Sequence, residues 1–186
     1  QGPNLYLLMR LHNEPKADPD ELLEEYYAAF GPAHAEVKAY FNYWEKYLTS
    51  HRDLLTGRFN ELGGSRWRAF AKAAHGVFPA DCFAPAEAIL ARAEAAAQSD
   101  PEAVQRVAFL RTGLTHAMLA TRVSALLSLG DPSSTPERGA TALHELLQFR
   151  RAHEREWFAN LNQIAWVEDA SWKLSNETKK SPELYP

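Results

Sequence analysis

Ahead of the polar tail, an oxygen-bearing side chain is three times followed directly by proline and then directly by an acid: Asp18-Pro19-Asp20-Glu21, Asp100-Pro101-Glu102 and Thr135-Pro136-Glu137. Each run is a helix start. The first residue can accept a hydrogen bond from the free N–H groups of the first turn, and proline at the first helical position has no N–H to leave unpaired. The acid faces the positive end of the helix dipole. Beyond these starts apolar residues recur at steps of three and four, and no stretch alternates apolar with polar for the length of a strand. The pattern predicts an all-α fold, an irregular helical bundle with long antiparallel helices.

The spacing predicts where those helices lie. Residues 4–13 (NLYLLMRLHN) form a short helix too apolar to be comfortable in water. After Asp18-Pro19, Leu22, Leu23, Tyr26, Tyr27 and Phe30 share one face with Glu24 and Glu25 opposite, and Gly31-Pro32 stops the run. A helix over 33–51 turns Val37, Tyr40, Phe41, Trp44 and Leu48 inward. Gly57 and Gly63-Gly64 mark loops, residues 65–75 carry Trp67, Phe70 and Ala74 at helical spacing, and residues 76–85 read as a further loop. An alanine-rich helix over 85–98 precedes the longest, 101–129, with Val104, Val107, Leu110, Leu114 and Met118 as its seam. Gly130-Asp131-Pro132 breaks it, and the last long helix places Ala142, Leu146, Phe149, His153 and Trp157 on one stripe. Residues 160–174 read as irregular and the tail after Lys173 as frayed.

Composition narrows the partners. A net charge of -4 lacks the basic stripe that nucleic acid or an anionic membrane would require, and no apolar run approaches a membrane span. The single cysteine, Cys82, excludes an internal disulfide framework. The first methionine is Met9 and no charged leader precedes a hydrophobic stretch, so the chain is expected to be part of a longer protein.

Motifs for chemistry are sparse. None of the seven histidines has a glutamate three residues before it, which excludes the Glu-x-x-His pair of di-iron bundles. His144 and His153 are nine residues apart, which sets them on opposite faces of one helix and prevents them from sharing an ion. No nucleophile elbow, phosphate loop or dinucleotide motif occurs, so neither catalytic residues nor a metal or cofactor are expected. The aromatics are the least ordinary feature. Trp44 and Trp157 read as core. Trp67, Trp166 and Trp172 lie near breaks, where an indole can close the end of a bundle, stack on a sugar or anchor an interface.

The run Gly2-Pro3-Asn4-Leu5-Tyr6-Leu7-Leu8-Met9-Arg10-Leu11, then Pro15, Asp18-Pro19-Asp20-Glu21-Leu22-Leu23 and Tyr26…Phe30-Gly31-Pro32-Ala33, resembles the end of the catalytic region in a bacterial glycoside-hydrolase-like family of unknown function with an α-glucuronidase-like layout. Arg106-Val107-Ala108-Phe109-Leu110-Arg111-Thr112-Gly113-Leu114 is similar to a helix in that family's C-terminal extension. The family shows an aromatic and an acid before the first proline, where this chain has His12-Asn13-Glu14. The resemblance implies that residues 1–17 are the last helix of an upstream (β/α)8 barrel, 18–174 a helical bundle domain and 175–186 a flexible tail. It also implies that the catalytic carboxylates lie in the barrel. The helical part would brace the barrel, line its sugar cleft or self-associate, outside the cytoplasm if the parent carries a signal peptide. The alternative that the residues leave open is a free-standing helical interaction or regulatory module.

Overall fold

The computed structural model describes residues 2–61, 66–127 and 135–172, and among these the chain is all-α with no strand. Nine helices follow one another among the described residues: α1 (Gly2–Asn13), α2 (Pro19–Ala28), α3 (His34–Ser50), α4 (Arg52–Glu61), α5 (Arg66–Val77), α6 (Phe83–Ala97), α7 (Pro101–Leu127), α8 (Pro136–Ala152) and α9 (Leu161–Trp172). Single 3-10 turns lie at Gly31–Ala33, Ala80–Cys82 and Glu154–Glu156. None of the described helices is long and apolar enough to cross a membrane. Two compact units divide the chain, one of Gln1–Glu45 with Ala86–Leu110 and the other of Lys46–Pro85 with Arg111–Pro186.

In the first unit the expected start of α2 is made by Asp18, whose carboxylate accepts from the Asp20 N–H at 2.8 Å. Its apolar face enters a core of Tyr27, Phe30, Ala33 and Val37 packed with Ala93 and Ala97 of α6 and Ala103 and Val107 of α7. Val37 and Val107 are fully buried, each worth roughly 1.5–3 kcal/mol of transfer free energy. Tyr26 meets Phe30 and Phe41 edge-on, with centroids at 5.6 and 5.9 Å. The helix α1 lies against α2 through the Tyr6–Tyr26 ring contact at 5.5 Å and the Arg10–Glu25 ion pair. Gly31 is required twice over. Its φ of +53° is costly for any residue with a Cβ, and a Cβ there would sit 2.7 Å from Asp100 Oδ2. Asp100 cannot easily give way, because its other oxygen caps α7, accepting from the N–H groups of Glu102 at 2.9 Å and Ala103 at 3.2 Å.

In the second unit α4 packs on α5 and α5 on α9. Val123 and Leu126 of α7 pack with Ala142 and Leu146 of α8. Thr135 caps α8 by accepting from the Arg138 N–H at 3.2 Å, as the Thr-Pro-Glu run predicts. The Tyr47 hydroxyl donates to the Val77 carbonyl at 2.6 Å and ties the end of α3 to the end of α5.

Several expectations need correction. Gly57 lies inside α4 rather than in a loop; an isolated glycine costs a helix only about 1 kcal/mol against alanine, which neighbours can offset. Leu48 and Val104 are each 42% exposed rather than inward. On α7 the buried pair is Ala103 and Val107, four residues apart, which matches the small Ala93 and Ala97 opposite and leaves Val104 at the rim. The supposed loop over 76–85 is mostly helical, and α6 begins at Phe83. The stripe on α8 does not reach Trp157. The helix ends at Ala152, and Trp157 is left-handed at φ 55° and 87% exposed, so it is no part of a core. Residues 161–172, read as irregular, form α9. Gly63-Gly64, Gly130-Asp131-Pro132, Ser134 and the tail from Lys173 lie outside the described residues.

Candidate functional site

The second unit buries three polar side chains together. On α8 the apolar rows at Ala142 and Leu146 lead, one turn on, to Arg150, which is only 6% exposed. On α9 the residue three beyond buried Ala165 is Glu168, 5% exposed. From α7 comes His116, 8% exposed. Helical periodicity therefore delivers a cation, an anion and an imidazole to one interior point, where none would be stable alone.

Their geometry satisfies the charges. Arg150 Nη1 donates to Glu168 Oε2 at 2.7 Å and Nη2 to Oε1 at 2.8 Å, a bidentate pair. The remaining guanidinium direction is also used, since Nε donates to His116 Nε2 at 3.0 Å. That bond requires a lone pair on Nε2, so His116 is neutral and carries its proton on Nδ1. Burial pushes the His116 imidazole down from its ordinary 6.5 to about 3, and the adjacent Arg150 cation pushes the same way. Phe149 and Phe158 flank the imidazole at centroid distances of 6.5 and 5.2 Å.

A second polar set lies at the end of α8. His153 Nδ1 is 2.6 Å from Glu156 Oε1, and the Thr112 hydroxyl donates to Glu156 Oε2 at 3.2 Å. These contacts hold the 3-10 turn that follows α8 and lead into Trp157.

Neither set has the form of a hydrolytic centre. Glycoside hydrolysis requires two carboxylates across an accessible cleft, and the buried set offers one carboxylate whose two oxygens are engaged by one arginine. Among the described residues no three His, Cys, Asp or Glu side chains gather in a way that could hold a metal ion. His144 is exposed, and His153 is occupied with Glu156. Cys82 is buried and its thiol is pushed up by desolvation, which disfavours the nucleophilic thiolate.

The tryptophans singled out for sugar or interface contact fall on two helices that pack together, Trp67 on α5 and Trp166 and Trp172 on α9. Their side chains lie outside the described residues. The sequence reading missed the His116–Arg150–Glu168 set. Its signal was present, because Arg150 continues the stripe of Ala142 and Leu146, and a charge on such a stripe calls for a buried counter-charge.

The first unit has a different feature. On the outer face of α1, Leu5, Leu8 and Met9 are 53%, 66% and 70% exposed, while Leu7 and Leu11 are half-buried. Leu5, Leu8 and Met9 stand three and four residues apart on one side of a short helix, so their exposed apolar surfaces adjoin. No protein-family model, curated protein or solved structure matches the chain.

Proposed function

We propose that this chain is the non-catalytic helical part of a larger carbohydrate-active, glycoside-hydrolase-like enzyme, seated against its catalytic barrel through the outer face of α1. The observation that supports the reading is the exposure of Leu5, Leu8 and Met9 on that face. The resemblance of the opening segment to the last helix of such a barrel supplies the occupant, since a barrel helix is covered by the sheet on one side and by the appended domain on the other. Here α2 covers one side of α1 through Tyr26 and Glu25, and the sheet would cover the other. On this reading the helical part braces the barrel or walls its sugar cleft, and Trp67, Trp166 and Trp172 are its candidate sugar contacts. The buried His116–Arg150–Glu168 set holds helices together and does no chemistry on substrate.

The test compares residues 1–186 with the product of the complete gene in hydrolysis of aryl glycosides. The complete product should turn over substrate and the chain alone should not. Turnover by the chain alone, abolished by one Asp or Glu substitution within it, would refute the reading. A complete gene product that contains no barrel would favour a free-standing helical interaction module.

A further inference from the structure

The buried charge cluster is built unequally. Two of its three members, His116 and Arg150, stand on α7 and α8, whose contact is also secured by Val123, Leu126, Ala142 and Leu146. The third, Glu168, is the contribution of α9. Among the described side chains of α9 only Ala165 and Glu168 are buried, with Leu161, Ile164 and Val167 half-buried. Within that set the most deeply placed functional group of α9 is a carboxylate rather than a large apolar side chain, and α9 also packs on α5.

The receptor arginine is also oriented by a bond that does not involve the carboxylate. His116 Nε2 takes up the Nε–H of Arg150, which leaves Nη1 and Nη2 as the free ends of a planar fork. Glu168 meets that fork end-on, one oxygen to each nitrogen, at 2.7 and 2.8 Å. A fork fixed in plane by a third bond loses little freedom when it binds a carboxylate, the condition for tight recognition of a small anion. Phe149 and Phe158 border the imidazole and keep the surroundings apolar, which strengthens the ionic contact. With α9 displaced, the guanidinium would lose the anion it is paired with, and a carboxylate of any origin would answer the same need.

We propose that α7 and α8 form a carboxylate receptor, Arg150 oriented by His116, and that Glu168 is its resident ligand, which makes α9 a strap exchangeable for an external carboxylate. His116 acts as a positioning residue, since it touches the receptor arginine and not the carboxylate.

Chemical rescue tests this. Glu168→Ala in the full chain should speed hydrogen exchange of the α9 amides by at least about tenfold while α7 and α8 keep their protection. Sodium acetate should restore the α9 protection with a saturable dependence, and sodium chloride at equal ionic strength should not. The double variant Arg150→Met/Glu168→Ala should show no acetate effect. If Glu168→Ala does not fold in chloride, recovery of helical circular dichroism on adding acetate replaces hydrogen exchange as the readout. Acetate no better than chloride overturns the receptor. Equal loss of protection in α7, α8 and α9 overturns the strap, because the pair would then be an undifferentiated part of the core.

Discussion

Acidification should weaken the second unit through His116, and the size of the effect follows from its surroundings. The imidazole is held at about 3 in the folded chain by burial and by Arg150, against 6.5 for an unhindered histidine. Between those values the unfolded chain binds a proton that the folded chain refuses. The contribution is therefore complete above pH 6.5 and is lost progressively as pH falls towards 3. At about 1.4 kcal/mol per pH unit, lowering the pH from 6.5 to 4.5 removes roughly 3 kcal/mol. Glu and Asp side chains elsewhere also titrate in acid, so the clean comparison is with His116→Gln. Its amide oxygen can still accept from Arg150 Nε–H but does not titrate. Urea unfolding or hydrogen exchange of α7 and α8 at pH 7.5 and 4.5 should show the original chain losing about 3 kcal/mol more than the variant. Equal losses, or a His116 ring resonance titrating near 6.5, would refute the reasoning.

Core and backbone substitutions have separate expectations. Leu146→Ala, at a fully buried position between α7 and α8, should cost about 2–5 kcal/mol in chemical denaturation. Gly31→Ala must adopt a left-handed φ and press on the Asp100 carboxylate that caps α7, so about 2–3 kcal/mol should be lost; a neutral result would mean the turn can rearrange freely. Trp157→Gly should leave thermal stability unchanged or raise it by up to about 1 kcal/mol, because the indole is exposed and its backbone left-handed. A clear loss there would place the indole in a contact.

How much of this was legible in the sequence differs by element. The three cap-proline-acid runs located α2, α7 and α8 because capping is a local interaction carried by adjacent residues. The inward face of α2 was legible for the same reason, since Leu22, Tyr27 and Phe30 follow one helical period and are all buried. The misreadings occur where tertiary packing decides. Val104 fits the seam arithmetic of α7, yet the small residues of α6 select Ala103 in its place. Trp157 continues the α8 stripe by spacing, but His153 and Glu156 bond to each other and the helix stops before it. The buried charge set joins positions 18 and 34 residues apart, so no local pattern pairs them. Only the oddity of Arg150 on an apolar stripe points there, and a lone histidine such as His116 carries no local mark of an arginine partner.

The proposal that α1 docks on a catalytic barrel is tested most directly by Leu8→Lys with Met9→Lys, which changes the most exposed side chains of α1 and leaves the Tyr6–Tyr26 and Arg10–Glu25 contacts with α2 in place. Thermal unfolding should be measured for the double variant in the isolated chain and in the complete gene product. In the isolated chain the Tm should stay where it is, the stability changing by no more than about 0.5 kcal/mol, because both side chains are largely exposed. In the complete product the account predicts a lower Tm and weakened glycoside turnover, because the same face is then covered. No change in either protein would contradict the docking proposal, and destabilisation of the isolated chain would show that this face belongs to the chain's own core.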